Sequence, residues 1–476
     1  MHTPTRWGLR AFLAATAAVS GCSGPLTSDA WYERLERRGV PRPDDASVQA
    51  QRADTPTADV EAGLPDMNIT LNDLFRVAEA RNPGLRATQA AAGVAGGRAW
   101  QAGRYPNPSV AVTAGEVGFE GDSSNTVLSI TQPLVLGSRL RDGVGTAESQ
   151  LEARLAGVER ARRELLGEVA GLHAALLSVR AEMDLLDELL VLAQRTLDIA
   201  ETRFEARAVT EPDVTRPRVE VFRLRADRSR LARRLESHET RLGLLLDRGP
   251  VRAETIASAL PTLPPELDAA ALRAGVERTH PALLAGEHAI EAARLELERA
   301  RSSRTPDLDV TLGVGYSEEG DQGIAEIGLG TELPLWDRGR GDIASARFTL
   351  MQRRQEQREA RNRLLAELAA AQGAYDGARD QLALVRDDII PEARRSFEQI
   401  DASYRAGRAS FLELLDAQRT LMEARRLQIE LAGDAAVARA RIATVCGPDT
   451  LNTQSHLLAP TDSPTQEAPD GAEDRP

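Results

Sequence analysis

The chain has 476 residues, a formal net charge of -13 and 59 basic residues, every one of them arginine. Arginines scattered among a larger number of carboxylates make no basic patch for a polyanion, which excludes nucleic acid as a partner. Aromatic residues are only 4% of the total and the apolar fraction leans on Ala and Leu, so long packed helices suit the composition better than a broad globular core.

Residues 1–21 read as a secretory signal, with Arg6 and Arg10 ahead of an apolar run at 11–19 that is too short to span a bilayer. The run ends in Val19-Ser20-Gly21-Cys22, which resembles the bacterial lipoprotein processing motif, so Cys22 is the expected lipidation site; an ordinary signal peptide with a chance cysteine is the alternative. Ser23 after it resembles lipoproteins sorted to the outer membrane. Cys446 is the other cysteine, and a lipidated Cys22 leaves it as a small apolar residue without a disulfide. Residues 22–66 form a lipid-anchored linker rich in Pro, Asp, Ala and Arg, with a short helix expected over 31–38.

Beyond the linker the chain is written twice, as 67–250 and 251–446, at an offset near 200 residues. Asn82-Pro83 faces His280-Pro281, Pro106 faces Pro306, Gln132-Pro133-Leu134 faces Leu333-Pro334-Leu335, and Phe204 faces Tyr404. Each repeat carries two alternating strand candidates, 109–119 and 126–136 in the first, 308–316 and 324–335 in the second. Each is close to the ten or so residues of a tilted membrane strand. Four strands cannot close a barrel, whereas three chains would supply about twelve. The alternative is a pair of soluble hairpins.

Residues 142–204 read as one helix with a coiled-coil seam through Leu165, Val169, Leu172, Leu176, Val179, Met183, Leu186, Leu190, Ala193, Leu197, Ala200 and Phe204. Such a helix would extend roughly 90 to 100 Å, and its frequent charges keep it out of lipid. The second copy, 342–404, has a seam through Leu364, Leu368, Ala371, Tyr375, Ala378, Leu382, Val385 and Ile389 at offset 199, whereas Tyr404 matches Phe204 at offset 200. One extra residue near Pro391 is therefore expected, together with a kink there. Both helices should turn back into partners at 213–247 and 410–445, with Gly407 free to take positive φ and Ser410 able to cap. Residues 447–476 read as a disordered tail. Histidines 173, 238, 280, 288 and 456 form no paired ligand motif and no nucleophile-base set emerges, so neither a bound metal, another cofactor nor an enzymatic activity is expected.

Taken together, two repeats of helices, paired strands and a long hairpin behind a lipoprotein signal resemble the TolC-type outer-membrane efflux channels, over about 71–446. The motif carrying most of the resemblance is Tyr404-x-x-Gly407-x-x-Ser410-x-x-Glu413-Leu414-Leu415-Asp416-Ala417, with a weaker first copy around Phe204 and Asp213-Val214. The runs at 102–108, 132–137 and 334–341 resemble the cobalt-zinc-cadmium resistance branch. The resemblance implies a mainly α fold with a small β part: a homotrimer whose helical periplasmic barrel joins a twelve-stranded outer-membrane β-barrel. It also implies a periplasmic adaptor and a proton-driven or nucleotide-driven inner-membrane pump, the former favoured. Glu413 and Asp416 match the carboxylates of the pore constriction, against the alternative of a solvated face beside Arg419. Asp213 and Tyr404 match gate contacts, and Arg207, Thr210, Gly407, Arg408 and Ser410 form the tip expected to touch the adaptor. Arg207 and Pro217 depart from the Gly and Ala usual at their positions. Heavy-metal export is favoured over drug export or protein secretion, and a structural coiled-coil lipoprotein without a pore is the alternative of another class.

Overall fold

The structure is a computed structural model that describes residues 28–40, 64–115, 125–317, 322–406 and 408–447. It divides into two units, the first built from 1–56, 89–155 and 291–348, the second from 57–88, 156–290 and 349–476. The expected lipidation site Cys22, the tip residue Gly407 and the tail beyond 447 lie outside the described residues.

In unit 1, helix α1 (Ser28–Glu36) realises the short linker helix, with Trp31, Leu35 and Val40 buried. It can pack closely on α3 (Pro83–Ala102) because Gly96 has no side chain there: a Cβ would stand 2.8 Å from Leu35 Cδ1. Arg38 pairs with Glu152. Strands β1 (Ser109–Gly115), β2 (Asn125–Leu134), β3 (Leu308–Ser317) and β4 (Gln322–Thr331) form one antiparallel sheet in sequence order. The central pair, β2 with β3, therefore joins the two repeats. The end of the expected first strand, beyond 115, lies outside the described residues. Strand β4 stops at Thr331, short of the expected 335, and Pro334, which has no N–H for the ladder, falls outside it.

Helix α4 (Arg139–Glu205) runs unbroken for 67 residues, ending within a residue of the expected boundary. In unit 2 its seam is buried as the spacing requires: Val169, Leu176 and Val179 are fully enclosed. Upper seam residues pack with Leu74 and Val77 of α2 (Leu71–Arg81) and with Leu242 of α5 (Glu211–Leu245). Lower ones meet Leu231, Val221 and Val214 of α5. Each fully buried Leu or Val contributes about 1.5–3 kcal/mol. Phe204, expected at the end of the seam, is instead exposed beyond the last packed turn.

Second-repeat helices α6 (Ala269–Thr279) and α7 (Pro281–Ser302) flank His280 as α2 and α3 flank Asn82, each proline opening its helix where a missing N–H is tolerated. The counterpart of α4 is not one helix. Helix α8 (Arg340–Leu384) passes through a π turn (Val385–Ile389) into α9 (Ile390–Arg405), which α10 (Phe411–Cys446) follows. A π turn holds one extra residue and widens the helix ahead of Pro391, which can supply no N–H to a regular turn. The seam consequently moves from Ile389, which is 39% exposed, to Ile390, which is 9% exposed. The inserted residue expected near Pro391 is thus present, displaced to the turn before it. Tyr375 is fully buried and donates its hydroxyl to the Pro265 carbonyl. Cys446 is a free thiol, pushed by burial up to about 11.

Candidate functional site

Two places carry the chemistry: the sheet of unit 1 and the hairpin tips of unit 2. The sheet's register sorts its side chains into two sets. One face collects Val110 and Val112, then Leu128 and Ile130, then Leu312, Val314 and Tyr316, then Ala325, Ile327 and Leu329, as continuous cross-strand rows. The other is mostly small and polar, with Thr113, Ser129, Thr131, Thr311, Gly313, Gly315, Glu326 and Gly328, and also carries Ala111, Val127 and Ile324. The apolar face is the open one, with Val112 69% and Ile327 80% exposed, while Gly313 is buried on the other. In water a contiguous apolar face of this kind would be covered, and its alternation with small and polar residues is that of a strand between lipid and a lumen. The outer edges of β1 and β4 have no strand partner among the described residues. No described helix is long and apolar enough to cross a membrane.

At the first tip a residue of left-handed backbone, Arg207 at φ 55°, stands two positions beyond the end of α4, and the Ala208 N–H closes the helix by donating to the Arg203 carbonyl at 2.9 Å. The second tip repeats that bond from the Arg408 N–H to the Ser403 carbonyl at 2.8 Å. The chain then re-enters a helix in the same way twice. The Asp213 carboxylate accepts from the Thr210 N–H at 2.9 Å and from its hydroxyl at 2.7 Å. Glu413 accepts from the Ser410 N–H at 2.6 Å, and Ser410 Oγ accepts from the Glu413 N–H at 3.3 Å. These bonds hold both carboxyls below the usual carboxylate range. Asp213 and Glu413, assigned from sequence to a gate contact and a pore ring, are equivalent helix caps of the two repeats.

Asp416 is exposed three residues beyond Glu413, and its first-repeat equivalent is Arg216. Arg419, expected beside these carboxylates, reaches instead to Glu220 of the other hairpin at 2.8 Å. Tyr404 is tied across the hairpins too, accepting from Arg203 Nη1 at 2.9 Å while the guanidinium carbon stands 5.5 Å from its ring centroid. Arg425 and Glu188 make a further cross-hairpin pair. Arg203, Glu220 and Glu188 went unrecognised in the sequence, where nothing distinguishes them from other charges on solvated helix faces. Arg207, Thr210, Arg408 and Ser410, named for the expected adaptor contact, are exposed. Among the described residues no group of His, Cys, Asp and Glu is placed to hold a metal ion.

The sequence pattern of the family described as "Outer membrane efflux protein" matches residues 74–247 and 276–448, one match in each repeat. The cobalt-zinc-cadmium resistance protein CzcC of Cupriavidus metallidurans is 26% identical over 390 residues, covering 80% of this chain and 90% of that one. The pyoverdine export outer membrane protein OpmQ of Pseudomonas putida is 24% identical, covering 79% and 87%. The crystal structure of the outer membrane protein VceC from Vibrio cholerae superposes with a TM-score of 0.67 at 20% identity, covering 79% of this chain and 96% of that one.

Proposed function

We propose that this chain, which belongs to the outer membrane efflux protein family, is the exit duct for heavy-metal cations in a tripartite efflux system. The observation that carries the channel reading is the sheet, whose continuous apolar face and two open edges are satisfied together when β4 of one chain pairs with β1 of the next. Three chains close a barrel of about twelve strands in the outer membrane. Lipid on Cys22 tethers each chain. The tips at Arg207, Thr210, Gly407, Arg408 and Ser410 meet a periplasmic adaptor, and a proton-driven pump in the inner membrane supplies the energy. The cation assignment rests on the likeness to CzcC across most of both chains. The likeness to a pyoverdine exporter of similar coverage supports an organic substrate as the second reading.

Deleting the gene and scoring growth across zinc, cobalt, cadmium, nickel and copper, beside dyes, detergents and antibiotics, separates the two. Sensitivity confined to metals and reversed by complementation is the expected result. Sensitivity confined to organic compounds overturns the cation assignment and leaves the channel.

The tunnel's tip is a cation filter in this reading, with Glu413 and Asp416 repeated three times around the axis. Because Glu413 also caps α10, the charge is best removed without removing the hydrogen bond. Glu413→Gln with Asp416→Asn should lower the cation-to-anion permeability ratio in planar bilayers on the order of twofold; an unchanged ratio removes the ring.

A further inference from the structure

We propose that the arginine-lined cavity at the strand-to-helix junction of unit 1 binds the phosphate of an anionic phospholipid. The cavity, of about 490 Å³, is walled by Val135 and Leu140 and receives Arg104, Arg139 and Arg299 with one carboxylate, Glu296. Arg139 is held by Asp307, and Arg299 lies 3.5 Å from Glu296. Arg104 stacks over Trp100 at 4.5 Å, and among the described residues it has no carboxylate within ion-pair distance. Three guanidiniums against two carboxylates leave a positive pocket in a chain whose net charge is -13. A phosphate monoanion satisfies such a pocket by paired charge-assisted hydrogen bonds.

Gly143, inside α4, lines this space. A Cβ on Gly143 would meet only Arg299 Nε, at 4.0 Å. A larger side chain at this position therefore has space to enter the cavity beside the guanidinium.

The source of the phosphate follows from the level at which the cavity sits. It opens where β1 begins and β2 ends, and around these junctions Tyr105, Leu134, Leu136, Leu333, Leu335 and Trp336 are exposed, Trp336 at 92%. Exposed aromatic and aliphatic side chains at strand ends mark the boundary of a membrane barrel, the depth at which headgroups lie. Arginines at that depth meet lipid phosphate, and an anionic headgroup gains from the pocket's net positive charge. The inference rests on the reading that the sheet lies in the outer membrane.

The full-length protein, purified in detergent and titrated with phosphatidylglycerol or phosphatidylcholine in mixed micelles, is followed by native mass spectrometry. Phosphatidylglycerol should bind in preference to phosphatidylcholine. Arg104→Gln with Arg299→Gln, and separately Gly143→Leu, which intrudes into the cavity beside Arg299 and leaves every charge, should each weaken phosphatidylglycerol binding about tenfold. Equal binding by the variants and the parent overturns the proposal. Displacement of phosphatidylglycerol by millimolar inorganic phosphate assigns the pocket to free phosphate and overturns the lipid. Flotation with outer membranes and heat-modifiable migration are scored in parallel. A protein that floats and migrates as a barrel yet shows no lipid preference refutes this site alone, whereas one that does neither refutes the membrane reading beneath it.

Discussion

The two hairpins of unit 2 solve one packing problem from unequal starting material. In the first repeat α4 carries its seam through Val179, Leu186, Ala193 and Leu197 without interruption, and α5 opens with Pro217 buried in its second turn. In the second, α10 has Ala417 at that place, and the break is moved to the other arm, where the π turn at Val385–Ile389 separates two straight runs. Above the turn the seam follows the first repeat at offset 199, as in Leu368 and Val169; below it the offset is 200, as in Ile390 and Leu190. One added residue in a regular helix turns everything beyond it by about 100°. The π turn absorbs that rotation locally, so Val385 and Ile390 both face the core. Seam register, rather than helix continuity, is what the two hairpins share.

The largest effect should come from breaking register where no π turn can take it up. Removing Val191, an exposed residue of α4, swings Ala193, Leu197 and Ala200 away from Val214 and Val221 and should cost roughly 4 kcal/mol. The matching change in the other hairpin, deleting Asp388 together with Pro391→Ala, converts the π turn to regular helix while keeping Ile390 in the seam. It should cost less than about 1 kcal/mol. Thermal unfolding of the purified protein reads both. Equal losses would show that the π turn is needed for itself, not as a record of one inserted residue.

That contrast also marks how far the sequence could be read. The duplication, the seams and the strands were legible because they are periodic: Leu165 to Leu197 and Leu364 to Val385 repeat at helical spacing, and Leu128 and Ile130 alternate with Ser129 and Thr131. The extra residue was legible as a change of offset, but its position was not, since relief of Pro391 depends on which preceding turn widens. Contacts joining residues far apart in the chain left no local trace, so Arg203 to Tyr404 and Glu220 to Arg419 emerged only in the folded hairpins. Capping was visible at Ser410, but the sameness of Asp213 and Glu413 was not, because resemblance had given them separate roles while the backbone gives them one.

A second difference between the repeats, at the position of His173, predicts one part of the pH response. His173 is buried in α4 with Nε2 unpaired among the described residues, and burial pushes it down to about 4 from the ordinary 6.5. Its equivalent on α8 is Gln372, which does not titrate. The unfolded chain takes up a proton near pH 6.5 that the folded chain refuses until about pH 4. Stability is therefore complete above the higher value and falls as pH drops between the two, by up to about 3 kcal/mol. His173→Gln makes this position like its second-repeat equivalent and should remove its share of that slope, leaving a share of similar size from His280, which burial likewise pushes down to about 4. An unchanged profile in unfolding measurements from pH 7 to 4 would place the pH dependence outside the hairpin cores.

The smallest expected effect lies at the tips, where Arg207 stands at the position that Gly407 holds in the second copy. At φ 55° an L side chain costs about 1 kcal/mol that glycine avoids. Glycine returns part of that gain through the greater freedom of its unfolded chain. Arg207→Gly should therefore stabilise the first tip by about 0.5 kcal/mol net, visible as slower amide exchange at Ala208 and Thr210, whose N–H groups bond to the Arg203 carbonyl and the Asp213 carboxylate. Faster exchange would mean that the arginine side chain contributes more to the turn than its backbone strain removes. The departure from glycine would then be a stabilising feature of the first tip, and the two tips would differ in how they are held as well as in sequence.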